Sequence, residues 1–219
     1  MPAYHLILPQ EISSFSDRIR DEKASPFPEE EIPVLEACSS RRNEFRAGRR
    51  LARRLLEERG LEACVLKSME DRQVGWPEGW LGSITHKNDD CACALASLRD
   101  YEALGIDLES LRGPSPEVWD RIFLREEREW CQGEPGAQEA SALLFSAKEA
   151  LYKALFPLSR GPLRWMDFRI VVGRGAVGEP RSLKVEKVGG GMDRGKVERL
   201  EGCGLITGTQ VMTAFWLRV

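Results

Sequence analysis

Asp107 and Glu109 stand two residues apart in Gly105-Ile106-Asp107-Leu108-Glu109, a stretch whose pattern predicts a strand. Alternate side chains of a strand share a face, so both carboxylates project one way while Ile106 and Leu108 project the other. Two carboxylates a few ångström apart repel by about 4 kcal/mol at an effective dielectric near 20. Unless a cation joins them, one protonates or turns away. An oxygen-only pair suits magnesium, with manganese equally compatible, and such ions usually bridge to substrate phosphates. The plainer alternative is a strand end with two solvated acids.

A second acid lies beside a cation in Phe145-Ser146-Ala147-Lys148-Glu149-Ala150-Leu151-Tyr152-Lys153, where helical spacing stacks Glu149 on Lys153 at i and i+4. Lys148 points elsewhere, toward a second phosphate, the rim of the same site, or solvent. Seven arginines fall between residues 41 and 54 against one acid, Glu44. Such local positive charge implies an anion. Arg41 and Arg49, eight positions apart, project within about 80° of each other on a helix, which allows a compact phosphate pocket. The rival readings are a solvated basic face or a nucleic-acid-binding helix spanning Arg41–Arg54. His86 ends Gly82-Ser83-Ile84-Thr85-His86, where a ring nitrogen could bond a phosphate.

The elements that must position these residues mix helices and strands without strict alternation, which makes the class α+β. A helix is predicted over 41–59, stopped by Gly60, and another over 138–156, stopped by Pro157. Between them, strands are predicted around 63–66, 82–85, 91–97 and 101–109, and a polar helix over 117–131. Beyond, strands are predicted at 168–172, 183–188 and 211–219. Residues 11–37, rich in Glu, Pro and Ser, read as a surface loop with short helical turns. Gly190–Lys196 matches Gly-x4-Gly-Lys, but Val197 replaces the hydroxyl a P-loop requires, so a glycine-rich hairpin loop is expected there.

Composition narrows the rest. With 219 residues, a net charge of −3 and 42% hydrophobic residues, the chain can build a core and is no wholesale polyanion binder. No apolar run reaches the ~20 residues of a membrane span, and no secretory leader is evident, so a cytoplasmic protein is expected. Six cysteines without a Cys-x-x-Cys pair, and two histidines, predict reduced thiols and no zinc site.

Taken together, Arg-Arg-Asn-Glu-Phe-x-x-Gly-Arg-x-x-Ala-Arg from Arg41, Gly-Ser-Ile-Thr-His to His86, Gly-Ile-Asp-Leu-Glu to Glu109 and Phe-Ser-x-Lys-Glu-Ala-x-Tyr-Lys to Lys153 resemble the Sfp-type 4′-phosphopantetheinyl transferases, in particular their enterobactin-synthetase branch. The four motifs occur in the family's order across about residues 39–156. The resemblance implies two similar α+β halves, 1–103 and 104–219, related by a pseudo-twofold, with coenzyme A in the cleft between them. It further implies Asp107, Glu109 and Glu149 as magnesium ligands and Lys153 as a phosphate-binding lysine. Arg41, Arg49, Lys67 and His86 would bind the 3′-phosphate, with Ser83 and Thr85 along the adenine side.

The implied reaction is attack by a serine of an apo acyl- or peptidyl-carrier protein on the β-phosphate of coenzyme A, releasing adenosine 3′,5′-bisphosphate. Either Glu149 or a metal-bound water would take the serine proton. Leu108 between the two acids, and Phe145 where many relatives have tryptophan, are apolar departures that affect packing more than chemistry. A cleft built within one chain makes a monomer sufficient. Two other functions compete: the nucleic-acid-binding module on the arginine-rich helix, and a metal-dependent hydrolase using the same acids.

Overall fold

The computed structural model describes residues 2–69, 73–159, 161–175 and 178–219. Two antiparallel sheets carry the chain. The first has three strands in the order β1-β3-β2, formed by β1 (Ser13–Arg18), β2 (Trp80–Lys87) and β3 (Asp90–Ser97). The second has five in the order β4-β8-β7-β6-β5, formed by β4 (Tyr101–Ser110), β5 (Phe168–Val172), β6 (Arg181–Lys187), β7 (Glu201–Ile206) and β8 (Gln210–Arg218). The chain passes from one sheet to the other in the short turn 98–100, so the expected division at 103/104 falls inside β4.

Each sheet is covered by one long helix. On α2 (Ser39–Glu58), Ala47, Leu51, Ala52, Leu55 and Leu56 recur at helical spacing and bury against Cys91, Cys93 and Leu95 of β3. Each fully buried leucine stabilises the fold by about 1.5–3 kcal/mol, so packing rather than propensity holds this helix. Gly60 ends it at a φ of +80°, a conformation that favours glycine.

The other face of β3, Ala92, Ala94 and Ala96, meets Ile106 and Leu108 of β4, Met212 of β8, and Tyr4, Ile7 and Leu8 from the N-terminus. Period-two alternation therefore makes β3 a double-sided wall. On the second sheet, α5 (Ala137–Leu155) packs Ala147, Ala150, Leu151, Ala154 and Leu155 against Phe168, Ile170, Leu183 and Phe215. Its run of alanines lets it lie close to β4, and Gly105 is where the two backbones meet.

Several expectations are corrected. Residues 63–66 form no strand; the segment is irregular and is tied to the core by Leu66, which is fully buried and whose amide donates to Glu30 Oε1 at 2.6 Å. The helix expected over 117–131 is broken into α3 (Trp119–Ile122) and α4 (Arg125–Gly133). Phe123 between them is extended and fully buried, and Glu127 accepts the Leu124 amide to start a new helix. β1 forms from polar residues in a presumed loop because β3 offers it an edge. β7 lacks a β-branched run, and its Gly202 leaves the space that the Phe215 ring fills. A short helix, α6 (Arg194–Glu198), capped by Asp193, follows the glycine-rich segment where no helix was expected. The short helical turns expected in the acidic N-terminal stretch are present there, as the four-residue helix α1 (Pro28–Glu31) and the turn that follows it. Among the described residues no helix is long and apolar enough to cross a membrane.

Candidate active site

The two sheets meet at β2 and β4, and the joint is made by side chains. Ser83 Oγ accepts the Ile106 amide at 3.0 Å, and Thr85 Oγ1 accepts the Leu108 amide at 3.1 Å. Two residues further along the same face, Lys87 Nζ lies 2.6 Å from Glu109 Oε1. Alternation along β2 thus presents three successive rungs to β4. Ser83 and Thr85, expected along the adenine side, are both buried and bonded across the joint, and Ser83 also lines the adjoining cleft.

That cleft has a volume of about 980 Å³ and lies between the sheets. Arg41, Arg49 and Ser68 line one side, Ser83 and His86 the floor, and Tyr152 and Lys153 the other side. Arg49 is 5% exposed, and burial lowers its pKa to about 10 despite the opposing charge of Glu30. Its guanidinium sits 4.6 Å from the centre of the Phe45 ring, and Nη2 donates to Ser68 Oγ at 3.0 Å. Among the described residues its buried Nε has no hydrogen-bond partner. A buried, unsatisfied cationic donor at a cleft is costly unless an anion answers it. Arg49→Met is expected to weaken binding of a phosphate-bearing ligand in this cleft by at least about tenfold, read by calorimetry, while leaving the melting temperature near or above wild type.

Most of the other arginines of α2 are committed. Arg46 pairs with Glu31 at 2.7 Å, Arg50 with Glu22 and Asp17 at 2.9 and 3.1 Å, Arg53 with the fully buried Glu30 at 2.6 Å, and Arg54 with Glu58 at 3.1 Å. The acidic segment, read as a surface loop with short helical turns, is therefore the counter-charge of the helix. Arg41 donates to Glu44 at 3.1 Å and to His86 Nε2 at 2.9 Å, which makes Nε2 the unprotonated ring nitrogen.

Burial, then Arg41 and Lys153 against the opposing pull of Glu44, leaves the His86 pKa below its usual 6.5. A histidine depressed by folding lends stability above the unfolded pKa and loses it as pH falls through the folded one. Apo protein should thus lose melting temperature between about pH 7 and pH 5.5, and His86→Gln should flatten that slope in a thermal-shift series.

Asp107 and Glu109, each 7% exposed, share the β4 face as expected. Asp107 Oδ1 accepts Lys153 Nζ at 2.7 Å and Thr85 Oγ1 at 3.2 Å, and the Asp107 carbonyl accepts the buried Tyr4 hydroxyl. Lys153 also donates to the Ile106 carbonyl at 3.1 Å. Glu149, one turn before Lys153 on α5, has its pKa raised by burial and by the charges of Asp107 and Glu109, with Lys153 opposing.

Among the described residues no three carboxylate, imidazole or thiolate groups converge closely enough to hold an ion as they stand; instead a lysine holds each of the two strand acids. The donor set nevertheless fits a hard divalent cation. All three groups offer oxygen, and Glu149, its pKa raised by burial and then by Asp107 and Glu109, is near enough to feel both strand acids.

Two predicted residues lie outside this constellation. Lys148 is 2% exposed, and its three donors are taken by Glu127 Oε2 at 2.8 Å and the carbonyls of Trp165 and Phe168, each at 2.9 Å. No proton of its ammonium is left for a phosphate. Lys67 is exposed and does not line the cleft, whereas its neighbour Ser68 does. Sequence reasoning missed Lys87 and Ser68. The signal for Lys87 was available, since it shares the parity of Ser83 and Thr85 in a predicted strand.

The sequence matches the model of the 4′-phosphopantetheinyl transferase N-terminal domain over residues 29–96 and that of the 4′-phosphopantetheinyl transferase superfamily over 103–187. It is 34% identical over 162 residues to 4′-phosphopantetheinyl transferase Npt of Nocardia iowensis, covering 74% of this chain and 72% of that one. Against 4′-phosphopantetheinyl transferase Svp of Streptomyces mobaraensis it is 37% identical, over 67% of this chain and 61% of the relative. Against enterobactin synthase component D of Salmonella typhi it is 33% identical, over 62% and 60%. The two matched domains divide near residue 100, where the chain passes between the sheets that flank the cleft, and the chain belongs to the 4′-phosphopantetheinyl transferase superfamily.

Proposed function

We propose that this protein transfers the 4′-phosphopantetheine arm of coenzyme A to a serine of an apo acyl- or peptidyl-carrier protein, releasing adenosine 3′,5′-bisphosphate. The observation that carries this reading is a single cleft with the buried Arg49, whose Nε has no partner among the described residues, on one side and the Lys153–Asp107 pair on the other. A ligand with phosphates at two separated points answers both, and coenzyme A is such a ligand.

In this reading Arg49, with Arg41 and His86, binds the 3′-phosphate, and Lys153 neutralises the pyrophosphate. Asp107, Glu109 and Glu149 would hold magnesium or manganese. Either ion, when bound, supplies further charge neutralisation at the pyrophosphate. The serine oxygen forms a bond to the β-phosphorus while the bond from that phosphorus to the bridging oxygen breaks. Lys153 lowers the cost of the charge that gathers on the departing phosphate. Glu149 or a neighbouring water would take the serine proton.

The basic helix gives the nucleic-acid alternative no support, since Arg46, Arg50 and Arg53 are folded onto Asp17, Glu22, Glu30 and Glu31, and Arg41 and Arg49 line the cleft. A monomer is sufficient and a cytoplasmic setting suits the reduced cysteines. The carrier could belong to a fatty-acid, polyketide or siderophore-peptide synthetase. The test is to incubate the protein with coenzyme A, magnesium and a panel of apo carriers and weigh the carriers intact. Gain of one phosphopantetheine arm supports the transferase, and its loss on chelation supports the metal. Consumption of coenzyme A without a modified carrier supports the hydrolase.

A further inference from the structure

We infer that Lys87 is a resident counter-cation for Glu109, one that yields to a divalent ion and thereby sets this protein's metal affinity; the inference rests on the metal site proposed above. The three rungs between β2 and β4 are chemically unequal. Ser83 and Thr85 are buried and accept backbone amides, so they are structural. Lys87 ends the strand, its side chain is 38% exposed, and its ammonium lies 2.6 Å from Glu109 Oε1. It can leave toward solvent, where an ammonium is readily hydrated.

The two lysines at the acids also differ. Lys153 is anchored twice, by Asp107 and by the Ile106 carbonyl, and lines the cleft. Among the described residues Lys87 is anchored by the Glu109 carboxylate alone, and it lies outside the cleft lining. Glu109 does not depend on Lys87 for its orientation, because Oε1 also accepts the Ser110 amide at 2.7 Å. The carboxylate therefore stays aimed when the lysine departs. An ammonium and a divalent cation repel each other strongly at one carboxylate, so the ion must displace Lys87, and its affinity is reduced by the strength of the pair it breaks. Asp107, Glu149 and Lys153 are the other charged groups around this point, and none replaces Lys87 on Glu109 Oε1.

The test is Mn²⁺ binding to the full chain, read from the paramagnetic resonance of free Mn²⁺, with and without coenzyme A. Wild type is compared with Lys87→Met, Lys87→Gln and Lys87→Arg. Removing a competing pair of ordinary strength should tighten Mn²⁺ binding about five-fold in the Met and Gln variants, while Arg stays near wild type. Equal or weaker Mn²⁺ binding in both neutral variants overturns the role of Lys87 and leaves the metal site standing. Coenzyme A affinity that falls while Mn²⁺ affinity holds would also overturn it, by placing Lys87 on the pyrophosphate. No Mn²⁺ binding by any form, with or without coenzyme A, removes the metal site and this inference together.

Discussion

Lys153→Met is expected to lower kcat/KM for pantetheine transfer by about two to three orders of magnitude, the usual cost of losing one preorganised charge at a developing anion. The loss should fall mainly on kcat, because Arg49 continues to hold the other end of coenzyme A. The side chain is already aligned, with its ammonium held by the Asp107 carboxylate and the Ile106 carbonyl, so no reorganisation is needed when charge builds. Lys153→Arg should recover little, since a planar fork cannot take both contacts in the space of an ammonium. Single-turnover kinetics with one carrier, alongside a coenzyme A titration, check the split. A pure loss of coenzyme A affinity with unchanged turnover would contradict the role given to this lysine.

Gly105→Ala should be the most damaging small substitution in the chain. A Cβ at this position would lie 2.0 Å from the Ala150 carbonyl oxygen and 2.6 Å from the Ala154 nitrogen, both backbone atoms of α5. Neither can turn aside as a side-chain tip could, so the whole helix must shift away from β4. Overpacking of this kind costs about 1–3 kcal/mol or more, a large part of the stability of an ordinary domain. Because α5 carries Glu149 and Lys153, any molecules that still fold should lose activity as well. Denaturant midpoints measure the effect, with Gly208→Ala as the control, since a Cβ there meets nothing within 4 Å.

The parts of this site that were legible in the sequence are those encoded by local periodicity. Asp107 with Glu109, Glu149 with Lys153, and Arg41 with Arg49 each follow from strand or helix spacing, and the helices and strands that hold them formed close to where that spacing puts them. What was not legible depends on partners distant in sequence. Lys148 reads as a second phosphate lysine until Glu127, Trp165 and Phe168 close around it. The seven arginines look like an open basic face until Asp17, Glu22, Glu30 and Glu31 fold over three of them, Arg46, Arg50 and Arg53. β1 and β7 lack the β-branched signature because an existing neighbour, rather than their own propensity, makes them strands.

The joint between β2 and β4 bears on how such a cleft can be retuned. Backbone ladders fix neighbouring strands at about 4.8 Å whatever residues they carry. Here the distance is set by a serine and a threonine, each interposing its own Cβ and oxygen between the strands. Positions 83 and 85 are thus interchangeable shims: altering their bulk resizes the gap between two otherwise rigid sheets. A binding cleft hinged on shims can drift toward bulkier or slimmer ligands by single substitutions, without any ladder being rebuilt.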